Sequence, residues 1–206
     1  MSVAASSLIT LTQAKTLLDG YTGTTLDTAV ENIIDSVSAA FNRYLRRALA
    51  KTTYTNLYLD GNGLSELWLP HGPVTVLTSL YEDDERLTEG IDYDFMLYAG
   101  DAPSYLPRIV KNSGGAWLKG SKTVKLTMNP GFVVQGGTAT SPDIALPEDI
   151  AYACKVQVAV EVQRRAGKSW TLSSTSFEGG TVNRYEAGAL VKEVRDLLDP
   201  YRIYTA

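Results

Sequence analysis

A single histidine, His71, stands inside ELWLPHGPV, residues 66–74. An imidazole titrates near neutral pH and can move protons, but catalysis needs a nucleophile and an orienting acid gathered round it. The sequence offers no Gly-X-Ser-X-Gly elbow and no second histidine to complete such a group. Pro70, Pro73 and Gly72 instead fix φ, remove backbone donors and permit a turn, so the stretch predicts a bend between two strands.

Three glycine-rich stretches imitate nucleotide sites. GNGLSE, 61–66, begins like a dinucleotide fingerprint but has Glu66 where a small residue belongs, and no helix follows to receive a pyrophosphate. GAWLKGSK, 115–122, has phosphate-loop spacing, yet reads Ser121-Lys122 where Lys then Ser or Thr is required. GKS, 167–169, lacks the first glycine and follows a helix rather than opening one. Asp60 and Asn62 suggest the start of a calcium loop, but its twelfth position would be His71 in place of a bidentate glutamate. All four read as turn chemistry. EDDE, 82–85, reads as a solvated hairpin tip rather than a hydrolytic pair. Cys154 lies in an apolar helix and reads as a core side chain rather than a nucleophile. No catalytic residue, cofactor or metal ion is expected.

The aromatic residues Trp170, Phe177, Tyr185, Tyr201 and Tyr204 sit in or beside segments too polar and glycine-rich to form a core alone. With Arg202 they are residue types enriched at interface hot spots, and they form the candidate partner-binding set; covering the edge of a core is their other reading. The composition of residues 167–185 cannot bury much apolar surface by itself, so order there is expected on assembly.

The elements that must position these residues follow from periodicity. Residues 10–19 predict a short helix opened by Thr10 or Thr12 and stopped by Gly20. From Leu26 to Leu49 apolar residues recur at steps of three and four, with acids in the first half and Arg43, Arg46, Arg47 and Lys51 at the end, as the helix dipole favours. At Lys51 the pattern changes to short threonine-, tyrosine- and valine-rich runs separated by Gly, Pro and Asp clusters. Residues 52–130 therefore predict a small antiparallel sheet. Pro147 at a first helical position opens a helix over 147–166, whose central CKVQVAVEV predicts the most buried helix of the chain. An amphipathic helix over 186–199, of about four turns, ends at Pro200. The fold class is α+β: about four bundled helices with a β insertion over 52–130, in a single domain spanning 1–206.

Composition bounds the function. The 206 residues suffice to bury roughly 70% of the unfolded surface. No run reaches the roughly 18 apolar residues of a spanning helix, so no membrane partner is expected. The first residues carry no basic n-region, and one cysteine cannot form an internal disulfide, which together predict a reducing cytoplasm. A net charge of −4 disfavours tight binding to DNA phosphates while allowing DNA to pass close by.

Five stretches carry a resemblance in their order: LITLTQAKTLL with the helix ending FNRYLRRAL; LYLDGNGLSELWLPHGPV; YEDDERLTEGIDYDF; LPEDIAYACKVQVAVEV after a strand and NPGF; and SSTSFEGGTVNRYE with LLDPYR. Across most of the chain this order resembles the head-tail connector proteins of tailed bacteriophages, also called adaptor or head-completion proteins. The resemblance implies a non-enzymatic virion subunit, made in the host bacterial cytoplasm. It implies a ring of typically twelve copies beneath the portal protein, extending the DNA channel without specific DNA binding. It also implies contact with a tail-proximal connector or stopper protein. A tail or baseplate module whose sheet contacts carbohydrate or protein is the rival reading.

Overall fold

The computed structural model describes residues 3–18, 24, 26–74, 77–96, 107–140, 143–166 and 189–202. Two compact units emerge, one helical (Met1–Leu45 with Pro147–Asp199) and one built on sheets (Arg46–Leu146 with Pro200–Ala206). Among the described residues there are four α-helices and two small antiparallel sheets, a mixed α and β fold.

In the helical unit, α1 (Leu11–Lys15) starts at Thr10 with a capping box: the Gln13 amide donates to Thr10 Oγ1 at 3.2 Å, and the Thr10 amide donates to Gln13 Oε1 at 2.8 Å. Lys15 then pairs with Asp27 at 2.7 Å at the head of α2 (Asp27–Leu45). Helix α2 buries Val30, Ile33, Ile34, Val37, Phe41 and Leu45, the stripe its sequence period lays out. It ends four residues before the predicted Leu49 because Arg46 takes a left-handed conformation at φ 57°, a helix stop that glycine usually supplies.

Helix α3 (Glu148–Ala166) buries Ile150, Ala153, Cys154, Gln157 and Val158. It is not the most buried helix, contrary to its apolar composition, since Val156 and Val160 are only half-buried and Tyr152 is 46% exposed. Its central run is apolar on nearly every side, but among the described residues α1, α2 and α4 leave the side carrying Tyr152, Val156 and Val160 partly uncovered. Gln157 ties Ala189 and Val191 to α3: its Oε1 accepts from the Val191 amide at 3.0 Å, and its Nε2 donates to the Ala189 carbonyl at 3.4 Å. Helix α4 follows over Lys192–Leu198, two turns rather than four, and Val191 at its N-cap gives no side-chain cap bond. Pro200 lies inside a 3₁₀ turn, Asp199–Tyr201, instead of ending the segment before it.

Among the described residues the sheet unit contains seven strands: β1 (Tyr54–Gly61), β2 (Glu66–Trp68), β3 (Leu77–Glu82), β4 (Glu85–Arg86), β5 (Tyr93–Met96), β6 (Arg108–Lys111) and β7 (Gly120–Met128). They form two sheets where the sequence predicted one, ordered β1-β7-β3-β4 and β2-β6-β5, every pair antiparallel. Strand alternation sends Leu67, Ile109 and Tyr93 from one sheet and Leu80, Val124 and Leu126 from the other into a shared core around Trp117. Asp83 and Asp84, at φ 48° and 65°, make the two-residue hairpin turn between β3 and β4, whose twist requires positive φ at both positions.

Candidate functional site

The run EDDE is divided between strand and turn, with Glu82 ending β3, Asp83 and Asp84 in the turn and Glu85 opening β4. Asp84 is exposed at the turn and pairs with Lys125 at 2.8 Å, which lowers its carboxyl below the ordinary range and raises the lysine. Glu82 points inward and is only 9% exposed, correcting its reading as part of a solvated tip. Its Oε2 receives Lys111 Nζ at 2.6 Å, and its Oε1 receives the Leu118 amide at 2.8 Å. The same ammonium lies 5.0 Å from the Trp117 ring centroid, a cation–π distance. These groups are mutually satisfied and structural.

Two of the three nucleotide-like stretches, GNGLSE and GAWLKGSK, pack on each other, the Trp117 amide donating to the Leu64 carbonyl at 2.9 Å. Asp60 accepts from the Lys122 amide at 2.7 Å and from Ser121 Oγ at 3.1 Å, so a carboxylate of the chain itself occupies the position an anion would take. Asn62 folds its own turn, accepting from the Leu64 amide at 2.9 Å and donating to the Glu66 carbonyl at 2.8 Å. A Cβ added to Gly61 would lie 1.8 Å from the Leu118 carbonyl oxygen, so this glycine serves close backbone packing rather than phosphate approach. GKS, 167–169, lies outside the described residues. Among the described residues no cluster of three potential metal ligands occurs, and no helix is long and apolar enough to cross a membrane.

His71 sits in the expected bend, beside a cis Gly72–Pro73 bond, and its ring stacks on Tyr54 with centroids 4.4 Å apart and 14° between planes. Burial pushes its pKa below the ordinary value. Cys154 is fully buried against Ser38, and burial pushes its thiol up to about 12, the opposite of an activated nucleophile.

Of the candidate partner-binding residues, Trp170, Phe177, Tyr185 and Tyr204 lie outside the described residues, as does the segment 167–185 as a whole. Tyr201 is 7% exposed in the sheet unit. Its phenol lies close enough to Arg47 to act electrostatically on that guanidinium, which burial lowers to about 10 and which lies 6.0 Å from the Phe132 ring. Arg202 is half-buried. In this structure Tyr201 packs within its own unit.

A surface row that the sequence reading passed over crosses the three-stranded sheet. Trp68, Arg108 and Met96 are direct cross-strand neighbours. Trp68 is 47% exposed and Met96 40%, and the Arg108 guanidinium lies 5.7 Å from the Trp68 ring while bonding Glu66 at 2.8 Å. The signal available was the alternation of ELWL, which turns Trp68 outward when Leu67 and Leu69 turn in. An exposed aromatic beside an arginine is suited to molecular contact rather than to bond-making.

In chain order, helices precede and follow a β region of two small antiparallel sheets, a mixed α and β fold. No family model matches the chain, and no curated protein does. Solved structures match its fold over the full length. A chain in the neck of an empty GTA particle, computed with C6 symmetry, is 18% identical at a TM-score of 0.59, covering 100% of this chain and 96% of that one. A chain in the virion of a native gene transfer agent (GTA) particle is 20% identical at a TM-score of 0.59, covering 100% and 94%. A chain in the neck of a native GTA particle, computed with C12 symmetry, is 17% identical at 0.54, again covering 100% and 94%. At these identities the likeness is one of fold.

Proposed function

We propose that this chain is a non-enzymatic structural subunit of the neck of a phage-type virion: a head-tail adaptor that forms a ring beneath the portal protein and joins head to tail. The observation that carries this reading is the fold likeness to chains of neck particles over 100% of the sequence. Those neck structures were computed with C6 and C12 symmetry, which supports a cyclic assembly of this chain, with twelve copies as the proposed number. The net charge of −4 suits a channel that lets DNA pass without gripping its phosphates. Trp170, Phe177, Tyr185, Arg202 and Tyr204 are proposed to contact the portal and the tail-proximal connector or stopper protein, with Tyr201, the sixth residue of the candidate set, holding that segment to the sheet unit.

The exposed Trp68–Arg108–Met96 row favours a second reading, a tail or baseplate module binding protein or carbohydrate through its sheet. Sedimentation of the purified chain with and without portal protein separates the two. An adaptor enters a portal-sized complex, whereas a tail module stays at its own size and cryo-EM of particles finds it away from the head vertex.

A further inference from the structure

Helices α2 and α3 pack on each other, with Ser38 of α2 bonding Cys154 of α3. Their remaining faces therefore point to opposite sides of the helical unit, and the two faces are unlike. On α2 the outward stripe is small and polar, with Ala29, Asn32, Ser36 and Arg43 exposed and Ala40 half-buried. On α3 it is larger and more apolar, with Tyr152 at 46% exposure, Val156 and Val160 half-buried, Glu148 and Gln163 exposed. Both stripes run about four turns at steps of three and four, the spacing of a helix-packing ridge.

We infer that the occupant of the α3 stripe is the α2 stripe of a second copy of this chain, laid antiparallel. This rests on the ring reading above and supplies its contact surface. In that direction residue numbers on the two helices run against each other in one register: Tyr152 meets Ala40, Val156 meets Ser36, Val160 meets Asn32 and Gln163 meets Ala29. A larger side chain faces a small or short one along the row, which lets ridges enter grooves. Charge selects the direction. Exposed Glu148 at the start of α3 falls beside exposed Arg43 at the end of α2, whereas a parallel pairing would set Glu148 near Asp27 and Arg43 near Arg164 and Arg165. Because the faces differ and lie on opposite sides, the contact is heterologous and repeats from copy to copy until the ring closes. One pair of four-turn helices falls short of the roughly 1,200 Å² of a stable standalone interface, so closure of the ring has to supply the rest.

The test is disulfide capture in the full-length chain carrying Ser36→Cys and Val156→Cys together, oxidised at millimolar concentration and, separately, in assembled particles. The opposed faces cannot bridge within one chain, so the expected product is a ladder of covalent oligomers, with each single variant giving dimers at most. Arg43→Glu alone should weaken self-association about tenfold, and adding Glu148→Arg should restore it, with circular dichroism showing all variants folded. Wild-type rings by sedimentation or microscopy without a ladder would overturn this surface and leave the ring reading standing. A cross-link from either position to a different protein would also overturn it. A chain that neither ladders nor forms rings, alone or in particles, overturns both.

Discussion

Lys111 Nζ lies 2.6 Å from Glu82 Oε2, joining strand β6 of one sheet to strand β3 of the other inside the sheet unit. The side chains are 16% and 10% exposed, so the pair is largely desolvated, and it persists because the Leu118 amide and the Trp117 ring face the remaining surfaces of the two groups. Removing one partner leaves the other buried and uncompensated, a much larger effect than losing a surface pair. Lys111→Met should destabilise the protein by about 3 kcal/mol. Glu82→Gln keeps an oxygen for the Leu118 amide and should cost about half of that. Urea unfolding followed by circular dichroism checks both, and a cost below about 1 kcal/mol for Lys111→Met would show the pair to be solvated.

How legible this arrangement was in the sequence depends on the length of each element. Helix α2 declared itself because nineteen residues allow several turns of the apolar stripe to repeat. Thr10 and Gln13 stand at capping-box spacing, and Asp83-Asp84 marked a turn. Strand β6 was not legible: four residues, Arg108 to Lys111, are too few for a period of two to stand out, and without the strand at its centre the second sheet could not be separated from the first. The burial of Glu82 was invisible for the same reason, since its partner lies 29 residues away on that unseen strand. The end of α2 was missed because Arg46 adopts a conformation its residue type does not advertise. Of the candidate site, the sequence supplied residue types suited to contact but not their burial, which for Tyr201 depends on tertiary packing far from it in sequence, near enough to Arg47 for its phenol to act on that guanidinium.

His71 makes stability depend on pH in a defined direction. Burial holds the folded-state pKa below the ordinary 6.5, so below pH 6.5 the unfolded chain takes up the proton before the folded one. The associated stability is fully present above 6.5 and is lost as pH falls toward the lower folded value. His71→Phe keeps a ring to stack on Tyr54 but removes the titration. Urea midpoints measured at about pH 8 and pH 5 should therefore fall less for His71→Phe than for the wild type. His71→Ala, which loses the stack, should cost about 1 kcal/mol and leave assembly intact.

Cys154, the only cysteine, should be silent in the native protein. A thiol raised to about 12 carries almost no thiolate at neutral pH, and the residue has no exposed surface. An aromatic disulfide reagent should react with one thiol per chain in denaturant and with almost none in buffer. Fast stoichiometric labelling of the folded chain would mean that α3 opens readily around Ser38.

The C-terminal segment separates packing from docking in two adjacent residues. Tyr201 is 7% exposed in the sheet unit, and Arg47, which its phenol influences, is 5% exposed, so truncating Tyr201 removes a large buried side chain from the surroundings of a desolvated guanidinium. Tyr201→Ala should therefore destabilise the sheet unit by about 3 kcal/mol, the cost typical of a buried aromatic reduced to alanine. Any loss of portal association in that variant would then follow the loss of folded protein. Arg202 is half-buried, and the proposed adaptor uses it in the portal contact. Arg202→Ala should leave stability within about 1 kcal/mol while weakening portal association at least tenfold, as the loss of an interface arginine does. Thermal unfolding and portal co-sedimentation on the same two variants decide the matter. If Arg202→Ala binds portal as the wild type does, and Tyr201→Ala fails only in proportion to its unfolding, the segment is a structural closure of the sheet unit and the docking residues lie elsewhere.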